Sequence, residues 1–529
     1  MVISTSSPWA PFRSRAFAVL WIATLASNVG TWMNDVGAGW LMTSLAPSPL
    51  MVAMVQTATT LPIFLFALPA GALADIIDRR KLLVVVQGIM ALLAASLSVL
   101  VFTDQVTSSV LLVFTFLLGT CAAFVAPAWQ AIVPSLVKKS HLQSAVALNG
   151  VGINISRAIG PAIAGFLIAG IGIWAPFALN AISFLGVILA LIWWRPKPQI
   201  QTVLPAEHFW SAITIGIRYA RHSVPLKIAL VRAIAFFLFA SAFWSLLPLV
   251  VRSCLNGGPS LYGVLLGCIG IGAVSGALLL PPLRKRWSAD RMVNICTCLI
   301  AITLLLNAFI HNSIISAVAS FLFGMGWIGV LSTLNLAAQT AVPDWVRARG
   351  LSIFLMVFFG SMSMGSLMWG GLASFISLPI ALAIAAVGAL IAIPLVATKK
   401  LHVNEGDALA PSVHWPQPLL NVEEHADVIQ HGPVMVTIEY HINPDDVGKF
   451  LQLMEELGKA RKRSGVFAWF IMQDAANAEH FTEYFMENSW VQHLRHHERV
   501  STADQIIQDK IHQLHQGINL PKVSHHFKR

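Results

Sequence analysis

From about position 16 to 397 the chain alternates long apolar runs with short polar turns. Runs of about 20 apolar residues read as membrane-spanning helices, because a rise of about 1.5 Å per residue then crosses a hydrocarbon core about 30 Å thick. The runs fall near 16–41, 50–73, 82–102, 109–131, 142–169, 173–194, 226–250, 261–281, 292–310, 314–338, 350–375 and 379–397. They form two groups of six, separated by the more polar stretch 195–224. Within that stretch Glu207 to His222 has helical periodicity, which predicts an amphipathic helix lying along the membrane face.

The pattern changes after position 400. Residues 401–432 read as a polar, proline-bearing linker. VMVTIEYHI (434–442), VFAWFIMQD (466–474) and HFTEYFMEN (480–488) alternate like strands. NPDDVGKFLQLMEELGKARKR (443–463) opens with helix-cap chemistry and continues as an amphipathic helix, and a polar helix-rich segment runs on to His515. The expected division is a short N-terminus (1–15), a first six-helix half (16–194), a linker (195–224), a second half (225–398), a second linker (399–432), a small domain (433–515) and a tail (516–529).

Composition agrees. Hydrophobic residues make up 56% of the 529 and charged residues 11%, where a soluble domain carries about 25% charge. The 24 acidic residues crowd into the last part of the chain, as do the 17 histidines. The first apolar run is too long for a cleaved leader and lacks a small-residue cleavage site. The five cysteines, Cys121, Cys254, Cys268, Cys296 and Cys298, show neither a disulfide framework nor zinc spacing.

The bases explain themselves by side. If position 1 lies inside the cell, the inside segments hold Arg13, Arg15, Arg79, Arg80, Lys81, Lys138, Lys139, Arg195, Lys197, Arg218, Arg221, Arg284, Lys285, Arg286, Arg291, Arg347, Arg349, Lys399 and Lys400. The outside loops hold Arg252. This asymmetry is the positive-inside rule and predicts a multi-pass protein with both termini in the cytoplasm. The net charge of +10 is therefore topological and not a nucleic-acid signal.

The halves repeat. GALADIIDRRK (71–81) corresponds to GALLLPPLRKR (276–286), and QAIVPSLVK (130–138) to QTAVPDWVR (339–347). Parallel repeats of this kind place a substrate site at the half–half interface near the midplane. The first loop resembles the G-x-L-A-D-x-x-G-R-[RK] signature of the major facilitator superfamily: Gly71, Leu73, Ala74, Asp75, Arg79 and Arg80 match, while Ile76 and Asp78 depart from it. SRAIGPAIAG (156–165) resembles the G-P-x-x-x-G element of exporters in that superfamily through Gly160, Pro161 and Gly165. FAVLWIATLASNVGTWMNDVGAGWLM, WSLLPLVVR and QTAVPDWVRARG resemble the enterobactin-exporter branch. The tail resembles the ferredoxin-like half of dimeric α/β-barrel proteins, including the antibiotic-biosynthesis monooxygenase type.

The resemblance implies a twelve-helix major facilitator fold with a small α+β domain, in a bacterial inner membrane. It implies a secondary active exporter of a small organic molecule, a siderophore or drug-like compound, coupled to protons. It makes Gly71, Asp75, Arg79 and Arg80 a cytoplasmic gate, in which an acid at Asp75 faces a helix N-terminus. No Walker lysine motif suggests ATP as the driver. No cofactor or metal is expected, and the partners are the small molecule, protons, lipid and a second copy bound through the C-terminal domain. Two other readings stay open: an importer of the same fold, and a membrane-tethered monooxygenase acting through the tail.

Few ionisable residues fall inside the spans. Away from the span ends, Asp35 is the one acid, and Arg157 and Arg232 are the bases. A charge at bilayer depth costs about 2.5–3.5 kcal/mol on insertion scales, so it is paired or lines a wet cavity. Asp35 and Arg157 are expected to share the first-half cavity as the proton-coupling pair, with Asn28, Thr31, Asn34 and Asn154 on the same polar face. Arg232 is expected nearer the cytoplasmic mouth, drawing an anionic cargo or snorkelling. In the tail, His441, Trp469, His480 and Trp490 suggest an enzyme site, and His493, His496 and His497 have the spacing of a metal-touching helix face. A packed core and a solvated face explain the same residues.

Overall fold

The computed structural model describes residues 7–46, 48–195, 209–343, 346–401 and 433–527. It holds twelve helices long and apolar enough to cross a membrane. In chain order the helices are α1 (Arg15–Leu45), α2 (Pro49–Ile76), α3 (Arg79–Phe102), α4 (Ser108–Leu136), α5 (Leu142–Gly170), α6 (Ala175–Trp193), the short α7 (Phe209–His222), α8 (Val224–Leu249), α9 (Pro259–Arg284), α10 (Ala289–Phe309), α11 (Ser313–Thr340), α12 (Arg347–Phe375) and α13 (Leu378–Val396). All but α7 are spans. Most of the expected linker 399–432 lies outside the described residues.

Short polar side chains start these helices. Ser14, Asp78, Thr107, Ser288 and Ser377 each accept a hydrogen bond from a first-turn amide of α1, α3, α4, α10 and α13. Each cap satisfies a donor that hydrocarbon would leave orphaned. Turn residues also tie the ends together in the expected alternation. Ser14 donates to the Leu136 carbonyl (2.8 Å), and Arg80 to the carbonyls of Leu191 (2.7 Å) and Ile192 (2.8 Å). These contacts join the ends that carry the bases, called here the basic end. At the opposite, neutral end Ser98 donates to the Trp174 carbonyl (3.1 Å) and the Leu50 amide to Ser374 Oγ (3.1 Å).

The chain forms two compact units: Met1–Leu204 with Val231–Leu334 and Phe354–Lys400, and Pro205–Leu230 with Asn335–Ile353 and Leu401–Arg529. In the first, the halves meet along two seams of small residues. A Cβ on Gly165 would stand 2.6 Å from the Pro259 carbonyl, and one on Gly263 would stand 2.5 Å from the Pro161 carbonyl. One on Gly270 would stand 2.5 Å from the Ala158 Cα. Helices α5 and α9 therefore touch backbone to backbone from the neutral end to mid-depth, a close approach that small residues permit. The second seam joins α2 to α12, where Gly370 abuts Ala53 and Leu50 and Thr57 donates to the Ser363 carbonyl (3.3 Å). The two seams are the same contact with the halves exchanged.

In the second unit, strands β1 (Val434–His441), β2 (Ala468–Gln473), β3 (His480–Glu487) and β4 (Lys522–Phe527) form an antiparallel sheet in the order β2-β3-β1-β4. Helices α14 (Val447–Ser464), α15 (Trp490–Arg499) and α16 (Thr502–Leu514) accompany it. The core gathers Val434, Val436 and Ile438 of β1 with Phe450, Met454 and Leu457 of α14, Phe485 of β3 and Ile511 of α16.

Two features differ from expectation. β4 lies in the stretch read as a tail. KVSHHF has weak strand character of its own, and its register is set by β1, from Val434↔Phe527 to Glu439↔Lys522. Helix α7, expected along the membrane face, packs against α14. Arg218 donates to the Gly465 carbonyl (2.8 Å), and buried Tyr219 to the Ala341 carbonyl (3.0 Å). Gly465 ends α14 at φ 123°, a left-handed turn that suits glycine.

Gly263→Ala is expected to cost about 1–3 kcal/mol by overpacking and to lower the thermal stability of the detergent-solubilised protein. Gly88→Ala, where an added Cβ meets nothing within 4 Å, is expected to leave it unchanged.

Candidate functional site

At the interface of the halves lies a cavity of about 290 Å³. Its two walls differ in chemistry. The first half supplies Trp32 and Asp35 from α1, Gln56, Thr59 and Thr60 from α2, and Arg157 from α5. The second half supplies Trp244 from α8, Tyr262 from α9, Trp327 from α11 and Phe358 and Phe359 from α12. One wall is polar and charged, the other aromatic.

The aromatic wall is built edge to face. Ring centroids lie 5.5 Å apart for Trp244–Trp327 and 6.0 Å apart for Trp327–Phe358. Trp32 approaches Trp244 at 6.4 Å across the cavity. Gly160 lets Trp32 sit where it does, since a Cβ there would stand 2.7 Å from the Trp32 Cβ. The exporter-like element of α5 thus serves packing twice, through Gly160 against α1 and through Pro161 and Gly165 against α9.

The two charges line one cavity, but it lies between the halves and not, as expected, within the first half. Among the described residues, however, no ion pair joins them. Asp35 has the Asn34 amide as its hydrogen-bonding neighbour. The Arg157 guanidinium lies 5.6 Å from the Trp32 ring centroid, and its buried Nε has no hydrogen-bond partner. The Trp244 Nε1 is buried without an acceptor as well. A buried donor left unsatisfied costs about 1–3 kcal/mol, so the wall is short of acceptors.

The remaining candidates separate. Asn28 and Thr31 line a second cavity of about 710 Å³, together with Gln87, Gln130 and Asn149. It is lined by the first half alone, toward the basic end. Asn154 turns its amide back onto the Gly150 carbonyl (2.9 Å) of its own helix. Asn34 is buried beside Asp35. The i, i+3, i+7 face drawn from Asn28 through Asp35 therefore serves two cavities.

Arg232 departs from the expectation of a cavity residue. It is 2% exposed, pairs with Asp290 at 2.7 Å, and donates to the carbonyls of Lys399 (2.9 Å) and Val396 (3.3 Å). It ties α8 to the start of α10 and the end of α13. Its ionic partner and both carbonyls belong to helix ends, so it is structural rather than cargo-facing.

At the expected gate, Arg80 binds the last carbonyls of α6, and Arg79 donates to the Ala131 carbonyl (3.4 Å). A cation suits a helix C-terminus, where carbonyls are unsatisfied. Gly71 has open space around it. The side chain of Asp75 lies outside the described residues.

Sequence reasoning did not find Gln56, Trp244, Tyr262, Trp327 or Phe358. None of them is charged, and an aromatic residue in an apolar run carries no mark of whether it faces lipid or a cavity. A signal existed: membrane tryptophans favour the interfaces, whereas Trp32, Trp244 and Trp327 stand well inside their helices.

In the tail, the candidate enzyme residues are core and network. Trp469 Nε1 donates to Glu483 Oε1 (2.9 Å), which Arg461 also reaches (3.1 Å), and Tyr440 donates to Glu483 Oε2 (3.1 Å). His493 and His496 each place Nδ1 2.6 Å from a Glu487 oxygen. His493 Nε2 lies 3.0 Å from that of His525 and 3.1 Å from that of His497. Trp490 packs on His493 and His525. His441 and His480 meet edge to face at the end of the β1–β3 ladder. Among the described residues no group of three His, Cys, Asp or Glu side chains is arranged to hold a metal ion. A cavity of about 10 Å³ beside Leu457, Arg461 and His496 is too small for a substrate.

This histidine network has a pH consequence. Burial and the neighbouring His493 push His497 down to about 3, and burial with the same neighbour pushes His525 down to about 4. Both are then neutral in the fold and take up protons near 6.5 when unfolded. The unfolded state binds more protons below that point, so stability falls as pH drops from 6.5 toward 4. Hydrogen exchange of the β1–β4 amides in the whole protein is expected to accelerate over that window, and less so in His525→Gln.

Comparison with known proteins places this geometry. A family model described as transmembrane secretion effector matches residues 6–529. The staphyloferrin A transporter of Staphylococcus aureus is 27% identical over 343 residues, 64% of this chain and 85% of its own. The multidrug efflux pump Tap of Mycobacterium tuberculosis is 24% identical over 427 residues, 77% and 98% of the two chains. Macrolide efflux protein A of Streptococcus pyogenes is 23% identical over 270 residues, 50% and 65%. Among solved structures, a bacterial homolog of the lysosomal transporter Spinster superposes with a TM-score of 0.57 at 12% identity, over 74% of this chain and 96% of its own. The nucleoside transporter NupG does so with a TM-score of 0.54 at 11% identity, over 73% and 98%. At such identity these structures speak for the fold alone.

Proposed function

This chain belongs to the transmembrane secretion effector family of major facilitator transporters, and on that premise we propose that it exports a small organic molecule by alternating access, in exchange for protons. The family and the relatives above are transporters, not enzymes, and the chain is a multi-pass membrane protein. The observation that carries the proposal is the cavity between the halves, where Asp35, an acid in the interior of a span, faces an aromatic wall without an ionic partner.

The two seams are the pivots of the mechanism. At the neutral end, α5–α9 and α2–α12 pack backbone to backbone and close the cavity to that side. Opening there requires the halves to rock apart about these contacts. Asp35 is the coupling carboxylate: ionised, it holds the cargo's polar group or waits for a proton; protonated, it releases the cargo. Arg157 sets the local field and orients the cargo's opposite pole. Gly71, Asp75, Arg79 and Arg80 form the gate at the basic end, with Arg80 anchoring the loop on α6. By the distribution of bases the basic end faces the cytoplasm of a bacterial inner membrane, with both termini inside. A siderophore or a drug-like compound is the proposed cargo class, as the relatives' names suggest.

Asp35→Asn is expected to abolish accumulation of labelled siderophore or macrolide candidates into inside-out vesicles carrying a proton gradient, while exchange without a gradient survives. Full gradient-driven accumulation by the variant would remove Asp35 from coupling. Deleting 401–529 is expected to leave transport in place.

A second copy binding through the C-terminal domain has its own support. The sheet face opposite the core shows Phe470 (38% exposed) and Met472 (55% exposed), with Tyr484 stacked on Phe470 at 5.3 Å. Phe470→Asp with Met472→Asp is expected to convert a dimer to a monomer in light scattering of the purified protein; an unchanged mass would end that reading.

A further inference from the structure

Two unlike charges line one small cavity and leave each other unpaired. In hydrocarbon surroundings each is costly alone. A pair formed between them would lower that cost, yet Arg157 rests on the Trp32 ring and Asp35 on Asn34. A ligand that carries one charge of each sign satisfies both at once. The orphaned donors, Arg157 Nε and Trp244 Nε1, call for an acceptor such as a carboxylate. Asp35 calls for a donor such as an ammonium. The opposite wall, Trp244, Trp327 and Phe358, offers ring faces and edges, and ring–ring contacts add attraction beyond area burial.

We propose that the cavity between the halves recognises a zwitterion with a flat aromatic body, its carboxylate held by Arg157 and Trp244, its ammonium by Asp35 and its ring by Trp327 and Phe358. The inference rests on the reading of this cavity as the cargo site and narrows the cargo to a class. It also supplies the exchange rule. An ammonium and a proton cannot both occupy Asp35, so cargo and proton alternate there, as an antiporter requires. The polar wall belongs to one half and the aromatic wall to the other, so the ligand is gripped only when both halves close on it.

The test uses the purified full chain and four probes: tryptophan, tryptamine, indole-3-propionate and leucine. They are respectively an aromatic zwitterion, the amine alone, the acid alone, and a zwitterion without a ring. Tryptophan is expected to bind about tenfold or more tighter than each of the others, since tryptamine and indole-3-propionate each lack one charge-assisted hydrogen bond and leucine lacks the ring. Arg157→Gln is expected to lower tryptophan to the level of tryptamine while sparing tryptamine. Asp35→Asn is expected to lower it to the level of indole-3-propionate while sparing that acid. A variant that merely misfolds would lose all probes together, and the spared probe excludes this. Equal binding of tryptophan and either single-charge probe, or of tryptophan and leucine, would overturn the proposal. Binding of none of them, with gradient-driven efflux of a siderophore or macrolide intact, would overturn the cargo class and leave the transport reading standing. The expected binding pattern alongside full coupling in Asp35→Asn would do the reverse.

Discussion

An uncompensated charge in hydrocarbon is the constraint around which this protein is arranged. Along twelve spans the chain excludes ionisable groups almost entirely and sends its bases to one end. The exceptions are therefore informative. Arg232 is paired, with Asp290 at 2.7 Å, and donates to two helix-end carbonyls. Asp35 and Arg157 are not, and they face the same space. The contrast between one ion-paired buried charge and two without an ionic partner separates architecture from function more sharply than residue type does.

The halves must move around this site without losing their packing. Glycine and alanine along α5 and α9, and along α2 and α12, make seams in which backbone meets backbone. Such seams have no long side chains to disentangle, so they suit surfaces that slide or rock. They also bring Gly270 of α9 against the backbone of Arg157 and Ala158. A change in how the halves meet is thereby felt at the charged wall directly.

Much of this was legible in the residues alone. The spans, the turn positions and the end that carries the bases follow from run length and charge sorting, because hydrocarbon tolerates few alternatives. Asp35 and Arg157 stood out for the same reason. The aromatic wall did not. A tryptophan in an apolar run reads the same whether it faces lipid or a cavity, and only its depth along the span tells them apart. Arg232 was assigned to the cavity because its partner, Asp290 at the start of α10, lies some sixty residues away in sequence. β4 and the docking of α7 were missed because tertiary pairing, rather than local pattern, decides them: β4 takes its register from β1, and α7 takes its place from the carbonyl of Gly465.

The central claim is that the space between the halves is water-accessible from each side in turn. It is tested most directly by a single cysteine at Gln56, on the polar wall, with the five native cysteines replaced. The account predicts that a membrane-impermeant thiol reagent labels it from either face of the membrane. Locking the neutral end shut with a cross-link between α2 and α12 should leave labelling from the basic end alone. Labelling that requires a lipid-soluble reagent, or that persists from both faces in the locked protein, would contradict it.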